Sequence, residues 1–371
     1  MNDVRPLPGP RADDAEVAAR VAATVRADVR SLSAYHVPKV EGMVMLHANE
    51  NPHPAPAKLC EAVAAAVARV AFNRYPDGAG DAVKAALAAA LPVPQGAAFV
   101  LGNGSDELIQ LLTTAIARPG AAVLAPEPTF VMYRIYARQS GVPYVAVPLR
   151  ADFSLDEDAL LAAIARERPA LVWLASPNNP TGRRAGAASI ERILAAAPGV
   201  VVVDEAYADF GDASLLPRVL EFPNLIVLRT LSKVGLAGAR LGYAVAHPAW
   251  IAEIDKVRSP YNVNALTQAV VPVVLAAADV LAEQVAAIRA ERAVLAAALA
   301  ARDGVTVFPS DANFLLVRVP EADAWAEGLK RNRILVKNLH GAHRALENCL
   351  RITVGTPAEN RALLAALDEM S

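Results

Sequence analysis

The segment Arg229-Thr-Leu-Ser-Lys233-Val-Gly-Leu-Ala-Gly-Ala-Arg240 places a lysine and two arginines around a loop rich in glycine and alanine. It overlaps the end of the apolar run 225–228, Leu-Ile-Val-Leu, which is typical of a buried strand. Burial favours the neutral form of a lysine, and the neutral amine is the form that attacks an aldehyde. A Ser-Lys pair alone is more often part of a solvated loop, so a nucleophilic role for Lys233 depends on the motifs upstream.

The composition indicates a soluble protein. Its 371 residues suffice for one large and one smaller domain, and 36 Lys and Arg against 38 Asp and Glu give no electrostatic signature of nucleic-acid or membrane binding. The sequence shows no apolar run of transmembrane length, no signal peptide and no transit peptide. Cys60 and Cys349 lack metal or redox spacing. We expect a cytoplasmic protein without a nucleic-acid or membrane partner.

The order of strands and helices predicts two domains. Apolar strands alternate with helices from about residue 99 to 228, which predicts a mainly parallel sheet covered by helices on both faces. After about residue 260 the alternation stops, and a long alanine-rich helical region indicates a smaller α+β domain. The predicted parts are an N-terminal extension over 1–30 with a helix at about 15–29, an arm joining the small domain over 31–48, a large domain over 49–262, and a small domain over 263–371 that begins with the helical region 265–301.

Candidate ligand-binding residues follow the strands of the predicted sheet, where open parallel sheets bind their ligands. Gly102-Asn-Gly104-Ser-Asp106 opens a helix, whose free N–H groups and dipole suit a phosphate. The same residues could form a simple turn, and Glu107 holds the third glycine position of a dinucleotide-binding motif.

Asp204 ends an all-valine strand, where a carboxylate is costly unless a cation pairs with it. A protonated pyridine nitrogen is one such cation, and a helix cap is the alternative role. Tyr207 and Asn179 could reach the same ligand, and Arg240 is a phosphate candidate or a solvated arginine. His340 and His343 lack neighbouring cysteine or carboxylate ligands, so we predict no metal site.

Together these motifs resemble those of the fold-type I pyridoxal-phosphate aminotransferases over about residues 31–365. Ser176-Pro-Asn-Asn-Pro-Thr-Gly182, Asp204-Glu-Ala-Tyr207 and Thr230-Leu-Ser-Lys233 occur in that family's order. Further motifs resemble the histidinol-phosphate aminotransferases within it: Ala48-Asn-Glu-Asn-Pro52, Asn73-Arg-Tyr-Pro76, Gly104-Ser-Asp-Glu107 and Cys349-Leu-Arg-Ile-Thr-Val-Gly-Thr356.

The resemblance implies a pyridoxal 5'-phosphate cofactor and a homodimer with shared active sites. Lys233 looks like the lysine that binds the cofactor aldehyde and moves the proton, and Asp204 looks like the partner of the pyridine nitrogen. The other implied cofactor contacts are Asn179 and Tyr207 at the 3-hydroxyl oxygen, Phe130 stacked on the ring, Gly104, Ser105, Asp106, Ser232 and Arg240 at the phosphate, and Tyr75 at the phosphate in the other subunit. The implied substrate pocket contains Tyr35, Asn49, Lys337 and Arg351.

Three positions depart from the family pattern. Phe130 stands where relatives commonly have tyrosine, which keeps the stacking and removes a hydroxyl. Lys233 and Arg240 are seven residues apart, where many relatives have eight. Lys337 stands near the position where relatives often have an arginine that helps to bind the phosphate of the substrate. Lysine supplies the positive charge but not the two parallel hydrogen bonds of a guanidinium.

The implied reaction is amino transfer between L-histidinol phosphate and 2-oxoglutarate in histidine biosynthesis, giving imidazole-acetol phosphate and glutamate. Same-fold alternatives are an aminotransferase for aromatic or other amino acids and a decarboxylase of a phosphorylated amino acid such as threonine phosphate. A cofactor-sensing transcription regulator would need a DNA-binding domain, for which the roughly 30 residues before Ser31 are too few. A nicotinamide-dependent oxidoreductase is disfavoured by the missing third glycine and acidic ribose partner.

Overall fold

Residues 12–32 and 42–370 are described by the computed structural model. The chain divides into two units, residues 1–40 and 41–371. In the first unit, Asp13 caps helix α1 (Asp14–Thr24), and a short helix α2 (Ala27–Arg30) follows. The continuous helix predicted at about 15–29 is wrong, because Val25 is extended and ends α1.

The second unit contains a seven-stranded sheet. Its strands are β2 (Ala98–Asn103), β3 (Val123–Glu127), β4 (Tyr144–Pro148), β5 (Leu171–Ala175), β6 (Val200–Asp204), β7 (Leu225–Thr230) and β8 (Leu241–Ala246). Their order in the sheet is β2-β8-β7-β6-β5-β3-β4. Strands β3 to β7 pair in parallel, whereas β8 is antiparallel to both β2 and β7. The mainly parallel sheet is thus confirmed, and β8 is a strand that we did not predict.

Helices cover both faces of this sheet. They are α4 (Asp81–Ala90), α5 (Ser105–Ile116), α6 (Met132–Gln139), α7 (Glu157–Glu167), α8 (Ala187–Ala196) and α9 (Pro248–Asp255), whereas α3 (Ala57–Val67) packs on a later helix, residues 265–275. Because successive strand residues point to opposite faces, Val201 and Val203 lie in one apolar cluster with α4, α7 and α8. Val200 and Val202 lie in a second cluster with α5, α6 and α9.

A second sheet has five strands in the order β1-β11-β12-β10-β9. They are β1 (Val44–Leu46), β9 (Thr306–Val307), β10 (Phe314–Arg318), β11 (Ile334–Asn338) and β12 (Cys349–Thr353). The accompanying helices are α11 (Ala278–Ala300), α12 (Ala322–Arg331) and α13 (Pro357–Met370), whereas α10 (Ala265–Leu275) packs on α3 and α4 beside the first sheet. Strand β1 comes from far upstream and pairs in parallel with β11. The exact domain boundaries remain a prediction.

The alanine-rich region predicted as one helical stretch over 265–301 consists of two helices. α10 and α11 meet at an angle of 79° around residues 276–277. Within the described ranges, neither helix alone is long and apolar enough to cross a membrane, and the bent pair meets that test only when both are taken together.

Candidate active site

The ends of β5, β6 and β7 carry most of the predicted site. Ala175 pairs with Asp204, and Asp204 pairs with Leu228, so the three strands end side by side. The segments 176–182, 204–207 and 231–240 therefore start at one edge of the sheet. The structure brings Asn179, Tyr207 and Lys233 to that edge together with Asp204.

Asp204 is a buried carboxylate, 5% exposed. The Tyr133 hydroxyl donates to its Oδ2 at 2.6 Å, and the Ala206 amide donates to Oδ1 at 3.0 Å. Burial raises the pKa of Asp204 to about 6, and these two hydrogen bonds oppose that rise. The carboxylate is thus held in one orientation, in surroundings that favour a cationic partner.

Tyr133 is a site residue that the sequence analysis missed. Its ring is fully buried, stacks on Trp173 at 4.6 Å between centroids, and meets the edge of Phe130 at 5.7 Å. Phe130 and Tyr133 are three residues apart across the start of α6, so both can face the same side. A tyrosine in an amphipathic helix usually serves packing, and the sequence carries no signal for a bond to a residue 71 positions away.

Replacing Tyr133 with phenylalanine is expected to raise the pKa of Asp204 further, because the carboxylate loses a donor while its burial is unchanged. We also expect a loss of about 1 kcal/mol in unfolding free energy. The acidic limb of the pH dependence of cofactor binding should move to higher pH, measured by fluorescence titration from pH 5 to 8. The Tyr136→Phe variant, changed one turn along α6, is the control and should leave that limb in place. An unchanged limb in the Tyr133→Phe variant would contradict this role.

Lys233 lies in a tight loop between β7 and β8. The backbone of Ser232–Leu236 is kinked at Val234 and Gly235, and Gly235 has a φ of 112°, which favours glycine. The Lys233 side chain is partly buried, and its Nζ lies 5.8 Å from the centroid of the Tyr207 ring. Because β8 begins directly after Arg240, both ends of the loop are fixed by paired strands.

We call the start of α5 the α5 cradle: Gly104, Ser105 and Asp106, together with the Arg240 guanidinium that lies against Gly104. Gly104 has a φ of +82°, and a Cβ there would lie 2.5 Å from Arg240 Nη2, so the guanidinium lies against bare backbone. None of the side chains that the structure describes caps this helix end. Burial raises the pKa of the Asp106 carboxyl, and Arg240 and Lys233 lower it.

Glu107 supports the backbone that leads into the α5 cradle, and Ser232 lies in the loop that ends at Arg240. Glu107, which replaces the expected third glycine, accepts from the Asn103 amide at 2.6 Å and from Asn262 Nδ2 at 2.7 Å. Ser232 is buried, with its Oγ 3.0 Å from Thr230 Oγ1. Glu107 thus fixes the backbone just before the cradle instead of giving close access to a dinucleotide.

Asn49 connects the two sheets. Its Nδ2 donates to the Tyr207 hydroxyl at 3.0 Å, and its backbone amide donates to Thr353 Oγ1 at 3.0 Å. Asn313 donates to the Asn49 carbonyl at 2.9 Å. Asn49 is 1% exposed, with a φ of 55°, so this left-handed residue is held from several sides. The contacts fix the Tyr207 hydroxyl beside β12.

Arg351 and Lys337 lie opposite each other on β12 and β11. Arg351 donates to Asn179 Oδ1 at 2.5 Å and to the His47 carbonyl at 2.7 Å. Burial lowers the pKa of Lys337, and the positive charge of Arg351 lowers it further. Two adjacent cations of this kind favour an anionic ligand.

The remaining predicted residues lie elsewhere or are not described. Tyr75 is 81% exposed and stacks on Tyr261 at 4.5 Å. Tyr35 lies outside the described residues. His343 and His340 accept backbone hydrogen bonds at Nδ1, from Ala345 and Asn348. In the described ranges, no group of three or more His, Cys, Asp or Glu side chains could hold a metal ion.

Comparison with protein families agrees with this geometry. The family model "Aminotransferase class I and II" matches residues 41–367. The chain belongs to this family.

Curated relatives are similar in sequence to this chain, and solved structures are similar in fold, over most of its length. Histidinol-phosphate aminotransferase of Chromobacterium violaceum is 56% identical, covering 92% of this chain and 96% of that protein. Histidinol-phosphate aminotransferase 1 of Ralstonia nicotianae is 54% identical, and the match covers 92% of this chain and 93% of that protein. The crystal structure of histidinol-phosphate aminotransferase from Sinorhizobium meliloti in complex with pyridoxal-5'-phosphate has a TM-score of 0.82 at 27% identity. The match covers 93% of this chain and 97% of that chain. The fold-type I aminotransferase fold is therefore confirmed.

Proposed function

We propose that this aminotransferase uses pyridoxal 5'-phosphate to move an amino group between L-histidinol phosphate and 2-oxoglutarate. The observation that carries the proposal is the buried, oriented carboxylate of Asp204, at the sheet edge that also bears Lys233. The names of the relatives at 54–56% identity support the choice of amino donor.

The residues present fit the cofactor at both of its charged ends. A protonated ring nitrogen would supply the cation that the buried Asp204 carboxylate favours. The uncapped N–H groups of the α5 cradle and the Arg240 guanidinium would take the phosphate. Asp106 would contribute its backbone N–H, because its carboxylate would repel a phosphate. Phe130 would stack on the ring, with Ser232 at the phosphate and Tyr207 and Asn179 at the 3-hydroxyl oxygen.

Bound pyridoxal phosphate would supply an aldehyde that captures the amino group and a ring that accepts electrons from the substrate Cα. Lys233 would hold the cofactor in the resting protein and then take the proton from the substrate Cα with its Nζ. Tyr207, fixed by Asn49 Nδ2, would keep its hydroxyl directed at the ring oxygen. Asp204 would keep the ring nitrogen protonated.

Lys337 and Arg351 would bind the anionic end of either substrate. Histidinol phosphate carries a phosphate and 2-oxoglutarate a distal carboxylate, and two adjacent cations suit both. Asn49 would complete the pocket. This shared use of one anion site would let the two substrates alternate.

A homodimer with shared sites, located in the cytoplasm, completes the proposal. Tyr75 and Phe72 are 81% and 74% exposed, and Tyr261 is 48% exposed. Large aromatic side chains are enriched at protein interfaces, so this surface supports contact with a second copy. Tyr75 would then reach the cofactor phosphate in the other subunit.

Adding L-histidinol phosphate without a keto acid to the purified holoenzyme is expected to abolish the visible absorbance of the bound cofactor. Adding 2-oxoglutarate should restore it, because the two half-reactions are separate. Absorbance spectra and product analysis check both steps. If another amine abolishes the absorbance and histidinol phosphate does not, the protein is an aminotransferase with a different amino donor. If a phosphorylated amino acid releases carbon dioxide, the protein is a decarboxylase.

A further inference from the structure

A histidine extends the pair of cations in the substrate pocket. Strands β1, β11 and β12 are neighbours, with Leu46 paired to Val336 and Lys337 paired to Arg351. His47 directly follows Leu46 at the end of β1, and the charges of Lys337 and Arg351 act on its ring. We call His47, Lys337 and Arg351 the anion row, because they follow one another across three adjacent strands.

The His47 side chain lies in the electrostatic field of Lys337 and Arg351. Its carbonyl accepts from Arg351 Nη2 at 2.7 Å, which fixes its backbone against the guanidinium. Its Nδ1 is buried and has no hydrogen-bond partner among the described residues. Such a buried, unpaired ring nitrogen is rare in a folded protein and is a good candidate for a ligand contact.

Three charged groups act on the imidazole. Burial lowers the pKa of His47, Arg351 and Lys337 lower it further, and Glu50 raises it. Before an anion binds, the ring is therefore mainly neutral at neutral pH. A ligand with two negative charges beside Lys337 would reverse the sign of the local field and favour the protonated ring.

We propose that His47 is a specificity-determining residue that takes up a proton when a phosphate monoester dianion binds in the anion row. The inference rests on the proposed function, since it assigns the anionic end of the substrate to Lys337 and Arg351. A carboxylate carries half the charge of the dianion and attracts the proton more weakly. His47 thus strengthens binding of the phosphorylated substrate over the dicarboxylate.

This coupling sets the direction of a pH effect. Binding of the phosphate ester is stronger when His47 is protonated, so its dissociation constant rises with pH above neutrality, towards a limit of about tenfold. Below about pH 6 the ester itself becomes a monoanion and also binds more weakly. Binding of the carboxylate lacks the alkaline loss.

Calorimetry of the holoenzyme with propyl phosphate tests the proposal, since this ester lacks an amine and cannot react. Titrations at pH 7.5 in buffers of different ionisation enthalpy report the protons taken up per site. We expect the wild-type protein to take up a substantial fraction of one proton and the His47→Asn variant to take up none. The variant should bind propyl phosphate about tenfold more weakly and butyrate within twofold of wild type.

The Lys337→Arg variant separates His47 from the other titratable member of the row. Arginine stays charged, so proton uptake that persists in this variant belongs to His47. Uptake that is lost in Lys337→Arg and kept in His47→Asn would overturn the proposal, as would equal uptake in wild type and His47→Asn. The proposed function fails separately, if histidinol phosphate leaves the cofactor spectrum unchanged while propyl phosphate still binds with proton uptake.

Discussion

The Lys233→Ala variant is expected to lose on the order of 10⁵-fold or more in turnover of L-histidinol phosphate, because no other group is assigned to both the cofactor aldehyde and the substrate proton. The loss in stability should be small. Lys233 is partly buried, and its Nζ contacts the Tyr207 ring at 5.8 Å, a contact worth about 0.5–1 kcal/mol. Steady-state assays and thermal unfolding measure the two effects.

Two further variants make this result specific. Lys233→Arg keeps a cation beside Tyr207 and Asp106 but cannot give up its proton at neutral pH, so it should be as inactive as the alanine variant. Lys256→Ala removes an exposed lysine that pairs with Glu253 and should retain full activity. Substantial steady-state turnover by Lys233→Ala would reject Lys233 as the catalytic residue.

The Asp204→Asn variant is expected to bind the cofactor much more weakly and to stabilise the cofactor-free protein. The folded-state pKa of Asp204, about 6, is above the ordinary value of 3.8, so folding penalises the charged carboxylate. That penalty is absent below pH 3.8, grows between the two values, and is complete above pH 6, at about 3 kcal/mol. Loss of one accepted hydrogen bond from Tyr133 or Ala206 offsets about 1 kcal/mol.

Urea unfolding of the cofactor-free proteins between pH 4 and pH 8 measures this effect. The variant should be about 2 kcal/mol more stable than wild type at pH 7, and the difference should shrink as the pH falls towards 4. Turnover should fall at least about 10³-fold, because the amide cannot hold a protonated ring nitrogen. A variant less stable than wild type at pH 7, with unchanged cofactor affinity, would contradict the assigned role of Asp204.

The sequence predicts the residues at the ends of the parallel strands better than it predicts the elements that follow the loop after β7. Asp204 and Lys233 could be placed because each follows an unbroken apolar run, and the ends of parallel strands meet at one edge. Strand β8 was missed because it runs against its neighbours directly after the loop, where the alternation of strand and helix stops. The break between α10 and α11 was missed because it falls at Ala276 and Ala277, and alanine, the strongest helix former, gives no signal for a helix end.

Contacts between distant residues could not be predicted at all. Arg351 reaches Asn179 across 172 positions, and Tyr133 reaches Asp204 across 71. Such pairs depend on how whole helices and sheets pack, which local periodicity does not encode. The left-handed conformation of Asn49 likewise depends on Thr353 and Asn313, more than 260 residues downstream.

The position of β8 has a consequence for synthesis on the ribosome. Within the described part of the chain, strand β2, which leads into the α5 cradle, pairs only with β8, and β8 follows it by about 140 residues. Gly242 of β8 lies against the first turn of α5 so closely that a Cβ would come within 2.4 Å of the Ser105 backbone nitrogen. A nascent chain therefore cannot complete the cradle until residue 246 has left the exit tunnel, so the phosphate end of the proposed cofactor site forms late in synthesis.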